Sequence, residues 1–193
     1  MKINYKIIFA LFLLLAAAQL YVSVQMIFDK EKIISDGTAF KFKIAPVDPL
    51  DYFRGEYLRI NFAISRTPIE CDEQFDSGDE VYIVIGTDDS GFAKIQSTSK
   101  EKPRDETNYV TARVNWVSGD SDCALFLDFP FEKYFMKEGT AYLAEDTIRG
   151  AVRDSSKIVY AEVQVKDGDA VVTEIFLGEN AIEDVIKEMN SEK

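Results

Sequence analysis

From Ile7 to Phe28 the chain carries no charged side chain, with Lys2 and Lys6 before this run and Asp29-Lys30-Glu31-Lys32 after it. Wound as a helix, the run rises about 33 Å, which matches a bilayer hydrocarbon core of about 30 Å. One transmembrane helix is therefore expected. The lysines ahead of it belong in the cytoplasm and the flank behind it is charge-balanced, so the positive-inside rule sends the rest of the chain across the membrane. A cleaved signal peptide is the competing reading, because Ala16-Ala17-Ala18 offers the small residues that a signal peptidase prefers. Apolar character resumes at Tyr21, Val22, Val24, Met26, Ile27 and Phe28, and a signal peptide has no use for it. The expected division is thus residues 1–28 as cytoplasmic tip and anchor, and residues 29–193 as a single domain on the far side.

Composition bounds what that domain can do. The 193 residues suffice for one core, and a hydrophobic content of 47% is that of a packed chain rather than a disordered one. The formal net charge is -12, and the part beyond the helix is more acidic still, because the charges ahead of Asp29 are both lysines. Nucleic acid is excluded as a partner on this ground, since phosphate binding needs clustered Lys and Arg. The chain has no histidine, which removes Ser-His and Cys-His nucleophilic machinery and imidazole zinc sites. Cys71 and Cys123 are too few for a metal cluster. In an oxidising compartment they can pair, and otherwise they are buried thiols.

Alternation with period two marks strands that bury one face. Phe40, Phe42 and Ile44 alternate with Lys41 and Lys43; Leu58, Ile60, Phe62 and Ile64 with Arg59, Asn61 and Ser65; and Val110, Ala112, Val114 and Trp116 with Thr111, Arg113 and Asn115. Residues 81–85 and 92–96 flank a polar loop as a hairpin. A second hairpin is expected where 158–165 and 170–177 flank the Asp167-Gly168 turn. Near the end, Asn180 and Glu183 have capping-box spacing ahead of the apolar stripe Ala181, Ile182, Val185, Ile186 and Met189, so a helix is expected to lie on the sheet. Between Phe131 and Ile148 alternation is lost, and one or two helical turns are expected. The fold class is mainly β (α+β): an antiparallel barrel-like or sandwich domain with short peripheral helices, behind one transmembrane helix.

The most distinctive segment runs from Ala45 to Phe62. Asp48 is placed to cap a short turn with Pro49 at its first position, Asp51 faces the exposed amides, and Gly55 ends the turn before a strand begins at Tyr57. Arg54 is within reach of Asp48 or Asp51. The run Gly55-Glu56-Tyr57-Leu58-Arg59-Ile60-Asn61-Phe62 resembles the Gly-Asp-Tyr-x-x-Leu-x-Tyr signature of the GDYXXLXY family of small membrane-anchored proteins. Gly55 and Tyr57 match it, whereas Glu56, Ile60 and Phe62 depart conservatively. Glu132-Lys133-Tyr134-Phe135-Met136-Lys137-Glu138-Gly139 is similar to the family's second signature. The resemblance implies a single-pass protein of the bacterial inner membrane with a periplasmic domain, associated with a multi-span membrane protein; it implies no reaction and no cofactor.

Asp48, Asp51, Glu56, Glu132 and Glu138 are the carboxylates available for acid–base work. Capping, pairing with Arg54 and solvation account for them equally well, so no catalytic residue is assigned. Tyr57, with Arg59 and Asn61 on its side of the strand, suggests a binding face, although a covering layer would explain the same pattern. The acidic run Asp72, Glu73, Asp76, Asp79 and Glu80 lacks calcium-loop spacing and reads as a solvated loop, so no metal site is assigned. The functional expectation is a non-enzymatic accessory or binding module for a multi-span membrane partner or envelope ligand, using the face of Asp48, Asp51, Arg54, Glu56, Tyr57, Arg59, Glu132 and Glu138. The alternative is a carboxylate-based hydrolase acting on an envelope glycan or peptide.

Overall fold

The computed structural model describes residues 5–45, 57–70, 75–118, 123–137, 139–154 and 157–191. The capped turn expected across Asp48 to Gly55 lies outside these residues. The uncharged run forms helix α1 (Tyr5–Asp36), and its apolar window is not buried against any other part of the chain. It is long and apolar enough to cross a membrane, which is compatible with single-pass anchoring. The helix does not stop at Phe28. Two further turns carry it to Asp36, where Ile33 is buried and Lys30 and Asp36 pair with Asp169 and Lys166 at 3.2 and 3.1 Å. Gly37 then allows a close passage: its N–H donates to the Ile33 carbonyl at 2.9 Å, and a Cβ there would run into that same carbonyl oxygen.

Behind the helix the described residues form three antiparallel sheets. Strands β1 (Thr38–Lys43), β9 (Val159–Lys166), β10 (Asp169–Leu177) and β11 (Asn180–Ala181) lie side by side in that order. A five-stranded sheet is ordered β3 (Arg66–Pro68), β7 (Ala124–Asp128), β6 (Tyr109–Ser118), β4 (Glu80–Thr87) and β5 (Ala93–Ser99). Between them sits a two-stranded ribbon of β2 (Tyr57–Arg59) and β8 (Lys133–Phe135). Single bridges from Ile44 to Phe62 and from Val110 to Gly168 join the sheets, giving a half-barrel whose concave face is the core. Helices α2 (Ala141–Asp154) and α3 (Ile182–Ser191) pack against it, through Ala144 and Ile148 and through Ile182 and Ile186.

Both expected hairpins form. Asp167 and Gly168 take positive φ values of 52° and 100°, as a tight two-residue turn requires. This turn also docks on β6: the Thr111 N–H donates to the Gly168 carbonyl at 2.8 Å, and the Tyr109 hydroxyl donates to the Asp167 carbonyl at 2.8 Å.

Four expectations need correction. The strand read through Ile64 ends at Arg59 and gives way to a 3-10 turn at Ala63–Ser65, although Leu58, Ile60 and Phe62 remain buried. Trp116, expected inside with Val114, is 55% exposed, because a bulge at Asn115 inserts one residue and turns the remainder of β6 over. The stretch after Phe131, expected as one or two helical turns, contains strand β8 and then the fourteen-residue helix α2. Asn180 pairs in β11 rather than capping a helix, and Glu183 accepts the Tyr134 hydroxyl at 3.3 Å.

Gly168→Ala places a Cβ 2.9 Å from Thr111 Oγ1 and from Tyr109 Cε2, at a φ that side chains rarely adopt. Destabilisation by about 1–3 kcal/mol is expected, read as a lowered melting temperature of the full-length chain in detergent. An unchanged melt would show that the turn is not a fixed point of the fold.

Candidate functional site

Residues 57–62 and 132–137, which carry the described parts of the two signature-like segments, are brought together by the fold. Tyr57 pairs with Phe135, Leu58 with Tyr134 and Arg59 with Lys133. Alternation sends Leu58 and Tyr134 into the core and leaves Tyr57, Arg59, Lys133 and Phe135 on the outer face. Phe135 is 73% exposed, its ring lies 5.9 Å from that of Tyr57, and the Lys133 ammonium sits 5.1 Å from the Tyr57 ring. The arrangement is an aromatic pair flanked by two cations, a combination suited to contact with acidic or aromatic groups.

Glu132 holds this ribbon in place. One of its carboxylate oxygens accepts the Phe129 N–H at 3.2 Å and the other faces Arg59 at 3.5 Å, while its main-chain carbonyl accepts the Ile60 N–H at 2.7 Å. Burial pushes its carboxyl above the usual carboxylate range, partly offset by the Phe129 amide and the Arg59 charge. These contacts tie it to the surroundings of both strands of the ribbon. Asp48, Asp51, Arg54, Glu56 and Glu138 lie outside the described residues, so no second carboxylate of the expected acidic set is placed beside it.

Beside the ribbon, α2 and residues 58–61 border a cavity of about 430 Å3. Its apolar wall comes from Ile44, Leu58, Ile60, Ile148 and Val152, and its polar groups are Arg59, Arg149, Arg153, Asn61 and Glu145. Arg149 pairs with Glu145 one turn earlier in the helix. Among the described residues Arg59 has its long contact to Glu132 as its one ion pair, with its side chain 64% exposed. Arg153 is exposed and has no ion-pair partner among the described residues. Sequence reasoning missed Arg149 and Arg153. The signal was the spacing Glu145, Arg149, Arg153, which puts all three on one helical stripe beside Ile148 and Val152.

On the inner side of the ribbon, the Tyr134 hydroxyl lies between Glu183 and Glu174, and Glu174 has an enclosed carboxylate oxygen with no hydrogen-bond partner among the described residues. Burial, followed by the charges of Glu183 and Asp184, raises the Glu174 pKa; burial, followed by Glu174 and Glu183, raises that of Tyr134.

The acidic run divides. Asp79 is tied to Lys100 at 2.6 Å and accepts the Asp76 N–H at 2.9 Å, while Asp72 and Glu73 lie outside the described residues. No three acidic or sulfur ligands converge among the described residues. Cys123, whose carbonyl accepts the Ile69 N–H at 3.0 Å, carries no free thiol, and Cys71 lies outside the described residues.

A mainly antiparallel half-barrel behind one long apolar N-terminal helix defines the class of this protein. The family described as GDYXXLXY protein matches residues 19–175, from within the helix to the closing hairpin. The chain belongs to the GDYXXLXY family. No curated protein and no solved structure matches it.

The Glu174 environment has a definite pH signature. A carboxyl whose folded pKa lies above its unfolded value stabilises the fold fully below the unfolded pKa and loses that contribution as pH rises through the folded one. Glu174→Gln is therefore expected to match the parent chain in acid and to exceed its stability at neutral pH. Melting temperatures compared from about pH 4 to pH 7, on either side of the ordinary carboxylate range, test this. A gap between the two proteins that does not widen with pH would refute it.

Proposed function

We propose that this protein is a non-enzymatic accessory of the bacterial inner membrane, whose outward domain binds a multi-span membrane partner through the β2–β8 ribbon. The observation that carries the reading is the pairing of the two signature-like segments to display Tyr57, Arg59, Lys133 and Phe135 together on one face. An exposed phenylalanine and a half-exposed tyrosine in contact have the composition of an interface anchor. Two cations on a ribbon of a chain with net charge -12 select an acidic or aromatic counterpart. The helix supplies the second requirement, because its last turns dock on the β9–β10 hairpin and tie the domain to the membrane span.

The periplasmic side of the membrane is part of the same proposal. Lys2 and Lys6 ahead of the span support it, and so does Cys123, which has no free thiol. A Cys71–Cys123 bridge is the pairing available to a chain with two cysteines. It is supported by the β3–β7 register, in which Pro68 faces Ala124 and Ile69 bonds to Cys123. Such a bridge persists outside the cytoplasm.

Co-purification from native membranes in mild detergent tests the binding role. The full chain should bring down a multi-span protein, and the Tyr57→Ala/Phe135→Ala variant should lose it, since truncating interface anchors costs about 2 kcal/mol or more each. Trp116→Ala, on the five-stranded sheet, should leave capture intact. A chain that purifies alone, or capture indifferent to the ribbon variant, would overturn the proposal.

A further inference from the structure

We infer that the cavity between α2 and residues 58–61 binds a soluble ligand with one anionic group, a carboxylate or phosphate, carried on a compact apolar body. The inference deepens the binding role by naming a ligand class, and it rests on that role. A volume of about 430 Å3 falls within the range of small-molecule sites. The wall and the rim differ in chemistry. Leu58, Ile60 and Ile148 are each at most 6% exposed and form an apolar floor, whereas Arg59, Arg149 and Arg153 line the same cavity with Glu145 as the one carboxylate among its described lining residues.

Among the described residues that line the cavity, three guanidiniums to one carboxylate is the reverse of the balance in the whole chain, where acids outnumber bases by 34 to 22. Glu145 is taken up by Arg149, and Glu132 meets Arg59 only at 3.5 Å. Among the described residues the rim therefore holds guanidinium donors left over once its pairs are made, and a guanidinium fork fits the two oxygens of a carboxylate or phosphate. The floor accounts for the rest of the ligand. A bare inorganic anion would leave it uncovered, and a neutral molecule would leave the rim unpaired.

Position argues for a soluble ligand over a lipid headgroup. The helix docks at Asp36, Lys166 and Asp169, next to the start of β1 at Thr38. Ile44 and Ala45, which line the cavity, follow the other end of β1, about 20 Å further along the strand.

The test uses the full chain in nanodiscs of zwitterionic phosphatidylcholine, with phenyl phosphate as the probe and inorganic phosphate and benzyl alcohol as controls, read by calorimetry. Phenyl phosphate should bind saturably and more tightly than either control, and more weakly as salt rises, because the rim is exposed. Arg149→Gln/Arg153→Gln should weaken it by about tenfold or more, as expected for lost charge-assisted hydrogen bonds. Arg153→Gln alone, which breaks no ion pair among the described residues, should weaken it with an unchanged melting temperature. Binding no tighter than that of inorganic phosphate or benzyl alcohol, or indifferent to Arg153→Gln, would overturn the inference. So would displacement of the probe by phosphatidylglycerol added to the disc. Failure here with membrane-partner capture intact removes the ligand alone, whereas loss of capture with probe binding intact removes the partner.

Discussion

Phe42, Phe62, Phe129 and Phe131 meet where the three sheets join, and the arrangement of everything else follows from that contact. In five of their pairings the ring centroids lie between 5.2 and 6.0 Å apart in tilted and edge-on geometries, and all four are nearly or completely buried. Such pairs contribute about 0.5–1.5 kcal/mol each beyond area burial. Phe42 comes from the four-stranded sheet, Phe62 follows β2, and Phe129 and Phe131 lie between β7 and β8. The cluster therefore fixes both entrances to the β2–β8 ribbon. With only three residue pairs, a ribbon this short could not hold its register in isolation. Its outward face exists as a surface because Phe62 and Phe131 are fixed on the inward side.

The second constraint acts at the membrane end. Exposed ion pairs such as Lys30–Asp169 are worth little individually, so the helix junction depends more on the buried Ile33 and on the space Gly37 leaves for the crossing. Because α1 is continuous to Asp36 and these contacts begin at Lys30, only a short length of helix separates the apolar run from the domain. Such a connection transmits orientation as a flexible tether does not. A binding face on this domain is accordingly presented at a restricted angle to the helix, which suits a partner that is itself fixed in the bilayer.

Much of this architecture was legible in the sequence. Strict alternation identified β1 and the first half of β6, because one face of each is buried and a shift of one residue would invert it, while turn chemistry identified both hairpins. It failed where the backbone alone decides. Asn115 bulges without any compositional mark, and Trp116 consequently faces outward beside Phe126 at 4.8 Å. Lys133-Tyr134-Phe135 is too short to declare itself as a strand, and its identity depends on pairing with Tyr57–Arg59 more than seventy positions away. The same holds for the candidate site. The outward placement of Tyr57 and Arg59 followed from local periodicity, whereas their meeting with Lys133 and Phe135, and the lining of one cavity by Arg59, Arg149 and Arg153, depend on tertiary contacts that no single segment encodes. Glu183 is the instructive case: its spacing from Asn180 suits a capping box, yet the buried Tyr134 hydroxyl takes it instead.

The charge distribution then bears on what such a site can select. At physiological ionic strength fields decay over about 8 Å, so an anion approaching from bulk solvent meets first the repulsion of a strongly acidic surface and only at close range the guanidiniums of the cavity. Highly charged anions suffer most from the former, because repulsion grows with their charge. A small monovalent or divalent anion is repelled less, and an apolar body adds a favourable term that salt does not screen. For the ligand class proposed above, net charge and local charge of opposite sign would work together as a filter, the acidic surface acting against polyanions and the arginines with the apolar wall against neutral or purely ionic solutes. Neither element alone would favour a compact amphipathic anion, and the contrast between them does.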